Sequence, residues 1–270
     1  MEGASRSSLT AARKALNEVL GGDVDAAAVG DDLLAVSSVL GGSAALRRAL
    51  SDPSREGRVR SELIDRLFSG RISNEAREVA RFSVAQRWTR DAHLSLAIEE
   101  FAVEAFLANA QRHDRLSQVE DELFRFNRIV QGHSDLRAAL SNRHASESSK
   151  RDLVKSLLSD KVAPETLRLA SHAVATPTAR FDRAIEAYQQ IAAKRQEQVT
   201  AVVTSATELS EHQLERMSAA LSKQYGQTVN INLVVDPMVL GGVRVEIADE
   251  VIEGTISNRI SDARRHVTRT

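Results

Sequence analysis

The side chains that could carry chemistry in this 270-residue chain are scattered rather than clustered. Its seven histidines lie at positions 93, 113, 133, 144, 172, 212 and 266. None forms HExxH or an i, i+4 pair, the spacing that puts two imidazoles on one helix face toward a metal. Carboxylates are adjacent at Glu99-Glu100 and Glu120-Asp121-Glu122, but sequence neighbours diverge on a helix and read as solvated faces, not an acid/base pair. No serine sits in GxSxG, the setting of a nucleophile elbow, and there is no cysteine, which removes disulfides, thiolate metal sites and thiol nucleophiles. Gly241-Gly242 is no phosphate loop: nothing matches GxxxxGK[ST] and no helix follows to receive an anion. A bend or a close backbone approach is the reading for that pair. Arg264, Arg265 and Arg269 fall in a terminal helix, where the C-terminal end of the helix dipole accounts for them and a docking patch for an acidic partner is the alternative. No catalytic, cofactor or metal site is expected.

Composition narrows the class. Aromatics make up 4% and the formal net charge is −1, with acids and bases interleaved, so no segment shows the basic excess of a nucleic-acid binder. Alanine and leucine with arginine and glutamate favour helices packed on small aliphatic residues. No apolar run approaches the roughly 18–20 residues that cross a bilayer, and the opening MEGASRSSLTAARKAL lacks a signal-peptide core. The expectation is a cytoplasmic protein that meets a membrane only through partners.

The elements follow from periodicity. Leu9, Ala12, Leu16, Val19 and Leu20 form one helical stripe that stops at Gly21-Gly22. Leu33, Leu34, Val36 and Leu40 begin a second helix, stopping at Gly41-Gly42, and Leu46, Ala49 and Leu50 a short third. Asp52-Pro53 reads as an N-cap and first-turn proline for a helix carrying Val59, Leu63, Leu67 and Phe68. Ser73 caps the next, with Ala76, Val79, Ala80 and Val84 inward and Trp88 near its end. A longer helix from about Ala92 carries Leu94, Ile98, Phe101, Ala105 and Phe106. The pattern then repeats: a shift of 90 residues lays Leu33 on Leu123, Gly42 on Gly132, Leu46-Arg47 on Leu136-Arg137, Ala49-Leu50-Ser51 on Ala139-Leu140-Ser141, and Arg90 on Arg180 without a gap. This is a duplicated helical unit.

A helix from Phe181 to Ile191 runs on as a connector into a different pattern. Val199, Ala201 and Val203 alternate as a strand, and Ser210 with Gln213 forms a capping box for a helix presenting Leu214, Met217, Leu221 and Tyr225 and ending at Gly226. Val229, Ile231, Leu233 and Val235 make a second strand, which Asp236-Pro237 ends because proline lacks a ladder amide. After Gly241-Gly242 come Val243, Val245 and Ile247, a turn at Ala248-Asp249-Glu250, Val251-Ile252, and beyond Gly254 a helix with Ile256, Ile260, Ala263 and Val267 on one stripe. The fold expected is mainly α, two duplicated helical-bundle units at 1–112 and 113–193 followed by a small α+β domain at 194–270.

The run VDP, then GG, VRVEI and VIEGTI before a final helix resembles the C-terminal signature of the delta subunit of F-type ATP synthases, the family of the mitochondrial oligomycin-sensitivity-conferring protein. Glu253 and Thr255 stand where that family usually has aspartate and serine. The signature positions are Asp236, Pro237, Gly241, Gly242, Val245 and Gly254, in structural roles. The resemblance implies a non-catalytic stator subunit, one per complex, without cofactors. Its helical part would hold the alpha subunits of the catalytic head and its C-terminal domain stalk subunit b, resisting rotor torque. It would be peripheral on the cytoplasmic face of a bacterial cell membrane. The family has one N-terminal bundle, so two copies match a long bacterial form and leave open which copy meets the head. A helical-repeat adaptor of another assembly is the alternative.

Overall fold

The computed structural model describes residues 3–142, 144–175, 180–196, 198–225, 228–239, 241–247 and 250–253. They form twelve helices and four strands in two compact units, Met1–Ala192 and Ala193–Thr270. The first unit contains α1 (Ala4–Gly21), α2 (Ala26–Gly42), α3 (Ala44–Ser51), α4 (Gly57–Phe68), α5 (Asn74–Ala85) and α6 (Asp91–Arg112). It continues with α7 (Leu116–Gly132), α8 (Ser134–Ser141), α9 (Glu147–Leu158), α10 (Pro164–Ala175) and α11 (Phe181–Gln196). The bounds of α2 to α5 return 90 residues later in α7 to α10, and α6 and α11 start at equivalent positions.

Polar contacts repeat with the backbone. Asp32 on α2 accepts the Ser73 amide at 2.8 Å, and Glu122 on α7 accepts the equivalent Ala163 amide at 2.9 Å. Arg47 donates to the last carbonyls of α2, Leu40 and Gly41, as Arg137 does to Gln131. Gly70 and its counterpart Asp160 both hold the left-handed conformation, at φ 69° and 60°. Caps do not repeat: Asp25, Ser43 and Ser73 bond the first turns of α2, α3 and α5, whereas in the second copy Ser146 caps α9. Helix bounds that survive changed caps are set by the packed stripes, since a cap is worth only about 1 kcal/mol.

The proline reading is corrected. Helix α4 starts at Gly57, not beside Pro53. The Asp52 carboxylate instead accepts the Ser54 amide at 2.9 Å, a local turn that competes with helix initiation. Asn142 repeats it with His144. The stripe on α4 is also rotated: Arg60, Ser61, Ile64 and Phe68 are buried, Leu63 and Leu67 half-buried, and Val59 exposed. The Arg60 guanidinium causes this by donating to the Gln86 and Ala85 carbonyls at the end of α5, at 2.8 and 3.1 Å. Helix α2 begins at Ala26, a turn and more before Leu33.

Two apolar clusters fill the unit. The first gathers Leu16, Leu33, Val36, Leu40, Leu50, Ile64 and Val84; the second Leu123, Phe126, Val154, Leu169 and Ile185. Helix α6 belongs to both, giving Leu94, Ile98, Phe101 and Ala105 to one and Val103, Phe106, Leu107 and Ala110 to the other. A helix apolar all round has to be enclosed. Its closest approach is to α2, where a Cβ on Gly30 would lie 2.6 Å from the fully buried Phe106 ring.

In the second unit the sheet order is β2-β1-β3-β4, with β1 (Gln198–Ser205), β2 (Thr228–Val235), β3 (Val243–Ile247) and β4 (Glu250–Glu253). Strands β1 and β2 are parallel, joined through α12 (Glu211–Tyr225), and the other pairings are antiparallel. The capping box forms: the Ser210 amide donates to Gln213 Oε1 at 2.8 Å and the Gln213 amide to Ser210 Oγ at 3.3 Å. Ala201, Val203, Val229, Val245 and Ile247 are buried with Leu221 of α12. The ends expected at Gly226, Ala248-Asp249 and beyond Gly254 lie outside the described residues.

Replacing Gly30 with alanine forces its methyl into a ring that has no room to move. Chemical unfolding of the Gly30→Ala chain is expected to show a loss of about 1–3 kcal/mol. Gly41, with nothing within 4 Å of its would-be Cβ, should accept alanine with no loss.

Candidate functional site

Many of the side chains with chemical potential hold one helix to another. On α6, Glu100 and Glu104 accept the Arg13 guanidinium of α1, Glu104 at 2.7 Å. Glu99 meets His172 of α10 at 3.0 Å, and that imidazole stacks on Tyr188 of α11. At its C-terminus Arg112 donates to the Leu20, Gly22 and Val24 carbonyls, closing the end of α1. The carboxylate run on α7 is divided in the same way: Glu122 anchors α10 through Ala163 and Thr166, while Asp121 pairs with Arg125. Among the described residues no group of three histidine or acidic side chains could hold a metal.

Glu165 is the most enclosed acid. It is fully buried and accepts Arg115 Nη2 and Asn109 Nδ2, each at 2.6 Å. Burial pushes its carboxyl upward, but the hydrogen bonds from Arg115, its own amide and Asn109 outweigh that and hold it below the ordinary 4.5. A cleft of about 640 Å³ opens beside it, lined by Asp23, Asp25, Arg112, Arg115 and Arg168. Its cations are already engaged: Arg112 on carbonyls, Arg115 on Glu165 and Arg168 on Asp31. The three arginines are matched by three carboxylates in the lining, Asp23, Asp25 and Glu165, so the cleft carries no formal net charge to draw in an ion.

In the sheet unit the marked residues shape the chain. The Asp236 amide continues the ladder to Ser205 O at 2.8 Å, and its carboxylate accepts the Met238 amide at 2.9 Å. Pro237, which has no amide, sits between the hydrogen-bonded amides of Asp236 and Met238. Gly241 and Gly242 have φ of 67° and 85°, so positive φ is the observed reason for glycine here. Val245 is buried between Val203 and Ile252; Gly254 lies outside the described residues. These five positions build a strand–turn–strand connection.

What remains is surface. Phe82 on α5 is 41% exposed, and on α7 Phe124 and Ile129 are 52% and 50% exposed. Sequence periodicity placed neither Phe82 nor Phe124 on a stripe, and Ile129 entered only as the repeat partner of Val39. The missed signal was that each is a large apolar residue on the polar side of its stripe.

Residues 98–267 match the family model described as ATP synthase delta (OSCP) subunit. The chain is 43% identical to ATP synthase subunit delta of Kineococcus radiotolerans, over 98% of this chain and 97% of the relative. The subunit delta of Streptomyces coelicolor is 42% identical over 99% and 98%, and that of a Parafrankia species 44% over the whole of both chains. The chain belongs to the ATP synthase delta (OSCP) family. The family match begins inside α6, so the delta-family module takes α6 as its opening helix, and the preceding copy is shared with the full-length relatives. This agrees with the packing, in which α6 lies on α10 as α1 lies on α5. Among the described residues no single helix is long and apolar enough to cross a membrane.

Glu165 gives a pH prediction. Because its folded pKa is depressed, its contribution is complete above 4.5 and fades as pH falls through the folded value. In thermal or urea unfolding from pH 7 to 3, Glu165→Gln is expected to be less stable at neutral pH by about 1–3 kcal/mol. The gap should narrow below pH 4.5.

Proposed function

We propose that this chain is a non-catalytic stator subunit of the proton-translocating F-type ATP synthase. In this reading its helical copies, 1–112 and 113–193, hold the catalytic head through the alpha subunits. The domain at 194–270 holds stalk subunit b, with one chain per complex on the cytoplasmic face of the membrane. Resisting torque requires stiffness and tight binding, not reactive groups. The observation that carries the reading is α6, one continuous helix buried in both clusters, so that a twist applied to one copy is borne by the other. Family membership over the full length supports the same assignment.

The first copy is the better receiver for a head helix. In the second copy the α6–α10 pair is already covered by α2, through Asp31–Arg168 at 3.1 Å and Leu34 packed against the second cluster. The equivalent pair, α1 and α5, carries exposed Phe82, half-buried Leu9 and exposed Glu78, which has no ion pair among the described residues. An amphipathic helix with a basic residue fits such a groove.

Tagged chain purified from solubilised membranes should bring alpha, beta and b subunits in fixed ratio. Phe82→Asp should lower alpha recovery about tenfold or more, as for a central apolar anchor, with b retained. A chain that stays alone while the synthase remains intact would refute the reading.

A further inference from the structure

The duplication offers an internal control for a second surface. In the first copy the outer side of α2 is used inside the chain: Leu34 is half-buried against the second cluster and Asp31 pairs with Arg168. On α7 the same repeat positions face outward, and Phe124, the counterpart of Leu34, is 52% exposed. Ile129 is 50% exposed, and its counterpart Val39 is exposed at 45%, so the contrast between the copies lies at Phe124. A large aromatic side chain is thus kept where the second copy has nothing described to bury it in.

The charge on this face is different. Where the first copy has Ala35 and Ser38, the second has Arg125 and Arg128. At 3.6 residues per turn, Phe124, Arg128, Arg125 and Ile129 lie in that order across an arc of about 140° on one side of α7. Arg125 pairs with Asp121 of its own helix, whereas Arg128 is exposed and makes no ion pair among the described residues. Two apolar residues with two arginines between them, one arginine without a counter-charge, are complementary to a helix that carries acidic residues beside its apolar ones.

We propose that the outer face of α7 docks an acidic amphipathic helix of another subunit of the assembly, independently of the groove between α1 and α5. This rests on the stator reading, in that the partner belongs to the synthase. Two contacts on separate helices of one rigid body would hold it against rotation better than one.

The test uses the assembled complex. A photo-crosslinking amino acid is placed at position 124, with a second chain carrying it at position 82 as reference. The expected product joins position 124 to a helix of another subunit with acidic residues beside its apolar stripe. Arg125→Glu combined with Arg128→Glu should abolish that product and lower retention of the chain at moderate salt about tenfold, with unchanged thermal stability of the free chain. Products at 82 with none at 124 overturn the proposal. So does a product at 124 within the same chain, on a second copy of it, or on a segment without acidic residues. Silence at both positions overturns the stator reading and this proposal with it.

Discussion

Enclosure of α6 is the constraint on which the helical unit depends. Its apolar residues run round the whole helix, so no arrangement leaves it on a surface without exposing Phe101 or Phe106 to water. Burial of one such aromatic stabilises by about 1.5–3 kcal/mol, and α6 commits one to each cluster. Gly30 lets α2 come close enough to seat the Phe106 ring. The polar residues of α6 then fasten what lies alongside, Glu100 and Glu104 to α1, Glu99 and Asn109 to α10. Because the helix is continuous, neither copy can rotate without straining the other.

The two copies show what duplication keeps and what it frees. Helix bounds, the carboxylate on the fifth-helix amide, the arginine on the second-helix carbonyls and the left-handed residue after the fourth helix are kept. These are backbone-satisfying contacts whose loss leaves a polar group unmet. Surface charge and caps have diverged: Arg125 and Arg128 replace Ala35 and Ser38, and Arg115 replaces the cap Asp25 and pairs with buried Glu165, the counterpart of Glu75. Conserved backbone with altered faces is what one scaffold needs for two different contacts.

Much of this was legible in the residues. The 90-residue shift, the stop at Gly41-Gly42, the Ser73 cap, the Ser210–Gln213 box and the strand end at Asp236-Pro237 each follow from local chemistry that tertiary structure did not override. The misreadings came from competition between local and distant partners. Asp52 satisfied Ser54 instead of starting a helix, and Arg60 turned α4 inward by reaching carbonyls some 25 residues away. The sharing of α6 was written in Leu94 to Ala110 as an apolar circumference, but the reading along the chain followed one stripe and gave the helix to one copy. The exposure of Phe124 depends on α7 having, among the described residues, no neighbour where α2 has one, which no periodicity contains.

Native-state hydrogen exchange on the full chain tests the shared helix most directly. If α6 binds the copies into one body, amides in the cores of α2, α6 and α10 exchange through a single global opening. They should show one free energy and one denaturant dependence. Separate openings, with α7 to α10 exchanging at a lower free energy while α2 and α6 stay protected, would contradict the account.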